Sequence, residues 1–401
     1  MKKTVLMFCM CLMACVLSVI SVSNGYAAGF ALYEWSSRGN GMGGALTALV
    51  DDASAIAYNP AAMTKAEGTQ TLVGSTIIAP GADLEVKGTK YHSKNKVYLP
   101  PHAYMTHQMN DDLWVGFGTY TRFGLGTNYE HDWAGKYNVY KASLRSHTFS
   151  PAVAYKITDK WSVGAAIDAM WLTFDLRKYV NMGTDVDLRM SNSGWAWGGN
   201  ISTHYEFNKY FSLGAVYRTP QRLVGSGDAT FGATDDDLTM RATLPGSATV
   251  GFAVKPTDSW RFEGDVVFTN WSDYSQIEFR FDDLAALSSD STKKWHNAWR
   301  FQLGTEYDID AHNTLRLGFV WDQSPINEEY RDYMLPTNDR QMYSAGYGFK
   351  MDSWKIDLSL MYLNMRDTSI DAGDNDVSGV EDTEITNSHA WLGGISVGYE
   401  F

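Results

Sequence analysis

An all-β architecture is expected here: a 14-stranded antiparallel transmembrane β-barrel with a small N-terminal helical hatch, or plug, in its lumen. Three features of the 401 residues point that way. Apolar residues alternate with polar or small ones in stripes that begin or end in an aromatic, as strands do when one face crosses lipid between two interfaces. Short polar turns alternate with longer polar or Gly-rich segments. The final strand stops on an aromatic, Phe401, in a chain that starts with an export signal. Composition agrees: 14 Trp, 23 Tyr, 18 Phe and 36 Gly, with mean hydropathy −0.27. No apolar run of about 20 residues occurs after the N-terminus, which excludes a bundle of membrane helices. A net charge of −13 lacks the basic footprint of a nucleic-acid binder.

Taken in order, residues 1–27 read as a signal peptide. Lys2 and Lys3 precede an apolar stretch from Val5 to about Val22, and Gly25-Tyr26-Ala27 offers small residues for cleavage. A lipoprotein cut at Leu12-Met13-Ala14-Cys15 is the rival, but the apolar core runs on past Cys15. Cleavage near Ala28 removes Cys9, Cys11 and Cys15, leaving neither disulfides nor thiol chemistry.

Residues 28–69 behave differently from the rest of the mature chain and are assigned to the hatch. Gly39, Gly41 and Gly44 formally match the G-x-G-x-x-G of dinucleotide binding, but no strand precedes them and no acidic residue sits about 20 positions on. A compact Gly-rich plug suits them better, since close packing favours residues without side chains.

The barrel is assigned to residues 70–401. Trp161, Val163, Ala165, Ile167, Ala169 and Trp171 form one stripe, and others begin at Trp260, Trp299, Leu315 and Trp354. A soluble sandwich or propeller also alternates, but these stripes exceed the usual 5–6 residues or so and no blade-length repeat occurs. Short turns fall at 110–112, 158–160, 208–209, 257–259, 310–313 and 351–353. Longer segments lie near 81–96, 124–140, 180–188, 220–238, 274–294, 323–338 and 366–386. Six turns and seven loops make fourteen strands with both chain ends on the short-turn rim, and closure satisfies every strand edge as lipid demands. At the C-terminus Trp391, Gly393, Ile395, Val397, Tyr399 and Phe401 share a face. This ending looks like the signal read by the outer-membrane barrel assembly machinery.

The opposite parity faces the lumen. Ser162, Gly164, Ala166 and Asp168 give way upward to Met170, Leu172, Phe174 and Leu176. Arg261, Glu263 and Asp265 likewise give way to Val267, Thr269 and Trp271, and Lys355, Asp357 and Ser359 to Met361, Leu363 and Met365. A lumen polar below and apolar above is not a diffusion porin, and its solute is expected to be apolar.

With these residues in view, the chain resembles the FadL-type outer-membrane transporters of long-chain fatty acids and hydrocarbons. The resemblance rests on Ala28-Gly29-Phe30, Ser36-Ser37, Asp51-Asp52-Ala53 and Asn59-Pro60-Ala61 in the hatch, and on Phe123-Gly124-Leu125 with Trp133-Ala134-Gly135-Lys136-Tyr137. Leu244-Pro245, Thr269-Asn270-Trp271-Ser272, Ser324-Pro325, Leu335-Pro336 and Asp339-Arg340 come next in the family's order. The segment after Val180 is much shorter than in the best-known member, which implies a reduced outer capture groove.

The resemblance implies uptake of hydrophobic solutes, above all long-chain fatty acids, through an apolar lumen pocket with lateral release at a kink in the third strand. Aromatic or aliphatic hydrocarbons are the alternative cargo. Gating falls to Asn59, Pro60, Arg122, Gly124 and Asp322, with Asp322 hydrogen-bonding a displaced backbone. The pocket is assigned to Phe30, Met170, Leu172, Phe174, Val267, Trp271, Met361 and Leu363, with Lys178, Lys293 and Lys294 to pair a carboxylate head. Lipid and lipopolysaccharide surround the barrel, and the chain is expected to be a monomer with no cofactor and no metal; the acidic Asp371, Asp374 and Asp376 lack an EF-hand spacing. An outer-membrane lipase is a further alternative. Against it, the histidines are scattered, with neither H-E-x-x-H nor G-x-S-x-G.

Overall fold

The structure is a computed structural model that describes residues 29–93 and 97–401. The signal segment and its cysteines lie outside the described residues.

Fourteen strands build the wall. They are β1 (Thr69–Val86), β2 (Pro101–Gln108), β3 (Leu113–Tyr120 continued by Gly124–Asn128), β4 (Lys141–Thr158), β5 (Trp161–Asn181), β6 (Asp185–Asn208) and β7 (Phe211–Arg218 continued by Gln221–Phe231). Then come β8 (Thr234–Leu244 continued by Ser247–Thr257), β9 (Trp260–Thr269 continued by Gln276–Phe281), β10 (Ala298–Asp308), β11 (Asn313–Asp322), β12 (Arg340–Met351), β13 (Trp354–Met365) and β14 (Thr383–Glu400). Each pairs antiparallel with the next, and β14 returns to β1 in a ladder from Gln70↔Glu400 to Val86↔Thr383, so the sheet closes. Six tight turns join strands on one rim, at the positions expected from sequence.

Lipid-facing Trp161, Trp260, Tyr307 and Trp354 are exposed near that rim, and Trp195, Trp299, Tyr343 and Trp391 form a second girdle above. Trp161 and Trp171 are ten residues apart on β5; at about 3.3 Å per residue and a tilt of about 45° that is roughly 23 Å along the membrane normal. The girdles thus bracket the apolar band of a bilayer.

Three upper connections are shorter than sequence suggested. β5 and β6 meet at 182–184 and β7 and β8 at 232–233, while much of 274–294 is strand. Gly183 (φ 86°) and Gly232 (φ 62°) supply left-handed backbone at the tight turns. Polar composition misled there because these strands rise past the lipid: their outer faces meet water, while Leu176, Leu188, Met190, Leu238, Met240 and Phe279 stay buried inside.

Inside the lower barrel sits the hatch, with α1 (Ser37–Gly41), α2 (Ala55–Tyr58) and a 3-10 turn at Pro60–Lys65, ending where β1 begins. Above it lies a separate apolar cluster that includes Phe30, Met170, Phe174, Trp271 and Trp295. A small third cluster, Val320, Met342, Met361, Leu363, Ala390 and Leu392, lines the wall of β11–β14.

Candidate functional site

The polar lower lumen is the hatch's socket. Ser36 caps α1 by accepting from Gly39 N at 3.0 Å, which aims Arg38 at the wall. Arg38 donates to both oxygens of Glu306 (3.0 and 2.8 Å), to Asp52 (3.0 Å) and to Asp51. Burial works against the charge of Arg38, but the carboxylates of Asp51, Glu306 and Asp52 prevail and raise its affinity for its proton. Arg316 joins Glu306 (2.6 Å) to Asp357 (2.7 Å). Buried charges are tolerated when paired in this way. Gly41 packs directly on Gly346, where a Cβ would come within 2.9 Å of backbone.

Above the hatch, β3 breaks. The ladder stops at Tyr120 and resumes at Gly124, and the chain before the hatch fills the interruption: Ala31 bridges Phe123, Leu32 N donates to Arg122 O at 2.8 Å, and Gly124 N donates to Phe30 O at 3.0 Å. Ser146 on β4 holds the break from the other side, accepting from Phe123 N (2.9 Å) and donating to Phe123 O (2.8 Å). A Cβ at Gly124 would sit 2.8 Å from Leu32 Cδ1, so glycine admits the hatch chain.

Beyond the break, Gly124–Asn128 pairs with β4, and among the described residues no ladder joins it to the β2 side, where Pro100 and Pro101 lack backbone donors. The wall there holds a cavity of about 340 Å³. Phe30, Leu125, Leu144, Leu363 and Leu392 line its inner part, and the outward-facing Leu99, Arg145 and His147 also border it. It therefore runs from the lumen to the lipid-facing side.

The structure divides the sequence-derived site. Phe30 and Leu363 border the cavity, as do Gly124 and its flanks. Met170, Leu172, Phe174 and Trp271 are instead packed into the upper cluster, with Phe30 edge-on to Trp271 at 5.1 Å. Val267 is buried outside that cluster and Met361 belongs to the β11–β14 cluster. Lys178 is half-buried high on β5, opposite Leu188.

Several of the assigned residues take partners within the protein. Lys293 is buried and ion-paired with Asp332, so its charge is already matched. Lys294 is exposed and donates to Tyr330 Oη at 2.6 Å, outside the pocket. Asp322 takes side-chain partners in place of a displaced backbone: it accepts from Arg300 (3.1 Å) and Arg340 (2.7 Å). Asn59 anchors the hatch, its amide donating to Thr47 O (2.8 Å) and Thr203 O (3.1 Å), and Pro60 starts the 3-10 turn beside it. Arg122 lies within the β3 break, and its guanidinium donates to Gln221 (3.1 Å) and lies 3.8 Å from Asp168. For the buried Lys293, Asp322 and Arg122 the reason is desolvation: a cation or carboxylate in so dry an interior takes a protein partner.

Ser146 and Leu392 were not singled out by sequence, and Arg340 entered only within the Asp339-Arg340 motif, without a role. Parity on its strand was the available signal for Leu392; nothing local marked Ser146.

Residues 18–401 match the family model described as outer membrane protein transport protein (OMPP1/FadL/TodX). The chain belongs to this family. It is 27% identical to a putative outer membrane protein of Neisseria meningitidis serogroup B, covering 100% of this chain and 99% of the relative. It is 24% identical to the long-chain fatty acid transport protein of Escherichia coli O6:H1, covering 97% and 98%. Among solved structures, a Pseudomonas aeruginosa FadL homologue superposes with a TM-score of 0.82 at 15% identity, covering 94% of this chain and 100% of that one. The Pseudomonas putida toluene transporter TodX gives 0.73 at 19% identity, covering 93% and 99%. The protein is accordingly an outer-membrane transport channel for hydrophobic substrates, and the lipase alternative falls away.

Proposed function

We propose that this channel takes up long-chain fatty acids, and that the solute passes from the apolar upper lumen into the cavity beside the β3 break and out sideways into the bilayer. The observation that carries this reading is the cavity itself, apolar on its inner face and bordered by lipid-facing residues where the β2–β3 ladder stops. The hatch below is locked by paired charges, so the lateral route avoids dragging an apolar chain through a polar socket. Release requires the Phe30–Leu32 segment to leave the break, exchanging two backbone hydrogen bonds for water.

Fatty acids are preferred because Arg340 borders the cavity and, with Arg300, places two cations against the single carboxylate of Asp322. An acid head group would complete the pairing. A neutral hydrocarbon is the second reading, favoured by Lys293 and Arg122 being already engaged within the protein. Uptake of labelled oleate against labelled toluene, in a strain lacking its own transporter, separates them. Oleate uptake that falls on Arg340→Gln while toluene uptake does not move supports the acid; equal uptake with equal loss supports the hydrocarbon.

A further inference from the structure

Glu263 and Asp265, neighbours on the inner face of β9, are 2% exposed each and meet no basic side chain within ion-pairing distance among the described residues. They hold the hatch by its loop between α1 and α2. Ala48 N donates to Glu263 Oε1, while Thr47 Oγ1 (2.6 Å) and Leu46 N (3.3 Å) donate to Asp265 Oδ2. Those three donors occupy one oxygen of each carboxyl. Glu263 Oε2 and Asp265 Oδ1 remain buried with no partner among the described residues. Gly251 on β8 leaves room for them, since a Cβ there would collide with Asp265 Oδ1 and crowd Glu263 Oε1.

We propose that the pair shares one proton and so forms a proton-sensitive latch on the hatch. Two ionised carboxyls two residues apart on one dry face of a strand, both crowding Gly251, repel each other, whereas one proton held by the pair removes that repulsion and leaves acceptor oxygens for the hatch. No nearby charge substitutes for that proton. On β9, Arg261 turns to Asp308 (2.6 Å) and lies 3.5 Å from Glu306. On β10, Glu306 is taken by Arg38 and Arg316, and Gln302 is neutral. On the hatch side Arg38 serves Asp51 and Asp52. From β6 and β7, His204 and Ser212 reach Ala48 O (3.0 and 3.1 Å) rather than the acids. β8 contributes Gly251 and Ala253.

The docked hatch retains the shared proton, and an undocked hatch lets water solvate the pair, which then ionises like ordinary carboxylates. Protonation favours docking, and rising pH loosens it.

Maleimide labelling of Val50→Cys tests this in the full-length protein in outer-membrane vesicles. Val50 is buried in the same loop, two residues after Ala48, and native cysteines occur only at 9, 11 and 15. Rates are taken relative to Asp111→Cys on an exposed turn, which cancels the pH dependence of the thiol. The ratio should rise at least tenfold from pH 5 to pH 9, and should become flat in Glu263→Gln and in Asp265→Asn. Thr47→Val, which removes one donor to Asp265 and leaves both acids, should move the midpoint upward and serves where the amide variants fail to insert. A ratio flat with pH in the otherwise native protein, an undiminished rise in the amide variants or an unmoved midpoint in Thr47→Val would each overturn the latch.

Discussion

Replacing Leu392 with Asp probes the cavity wall. Leu392 is 3% exposed on β14, packs with Leu363, Ala390 and Met361, and borders the cavity. It pairs in register with Met361 on one side and Ile78 on the other, so no cation stands opposite to receive a carboxylate. The substitution carries two costs. Losing a buried leucine from a packed cluster removes about 2–5 kcal/mol of local stability. An unpaired carboxylate on the cavity wall disfavours an apolar ligand by several kcal/mol more. The barrel should survive, because fourteen closed ladders do not depend on one side chain. Ligand passage should not: a loss of about 2.8 kcal/mol is a hundredfold in affinity. The assay is oleate uptake, corrected for the amount of heat-modifiable protein in the outer membrane. Leu392→Met, a swap that usually costs under about 1.5 kcal/mol, should retain most uptake. Wild-type uptake by folded Leu392→Asp would refute the cavity as the path.

The same geometry bears on three other perturbations. Arg38→Met deprives Glu306 and Asp52 of a buried partner at a cost of about 3–5 kcal/mol, so the hatch should loosen and small-sugar permeability should rise while the barrel stays heat-modifiable. Asp339, in the loop before β12, is raised from 3.8 to about 7, chiefly by burial, with Arg366 opposing and Asp322 adding. A raised carboxyl binds its proton more tightly folded than unfolded, so its stabilisation is full below about pH 4 and is lost as pH rises through about 7. Asp339→Asn should flatten the decline in heat-modification temperature between pH 5 and pH 9. Deleting Phe401, which is 77% exposed and packs edge-on against Tyr399 at 4.7 Å, should lower outer-membrane levels without blocking export; normal levels would remove its role in assembly.

The barrel was legible because lipid imposes a rule on every other residue: Trp161 to Trp171 on β5 and Trp354 to Tyr362 on β13 show it without tertiary context. The rule weakens where strands rise into water. There Arg177, Asp187 and Arg189 face outward, so 180–188 reads as a loop although it is mostly ladder. The break at Gly124 was readable only through resemblance. Its supports, Ser146 on β4 and Ala31 from the hatch, come from distant parts of the chain, and no local pattern announces such a contact. Charged residues were harder still. Asp322 and Arg122 both lie inside, but their partners Arg340 and Gln221 are 18 and 99 residues away, and only the closed fold brings them together.

The most direct test of lateral passage is photolabelling. Oleate carrying a photoreactive diazirine near its tail is bound to the wild-type channel in outer-membrane vesicles, irradiated, and the adducts are mapped by mass spectrometry. Lateral passage predicts adducts on both faces of the cavity, at Phe30, Leu363 and Leu392 inside and at Leu99 and His147 outside. Adducts confined to the hatch socket around Arg38, Glu306 and Arg316 would contradict it, because the solute would then be crossing the polar floor of the barrel.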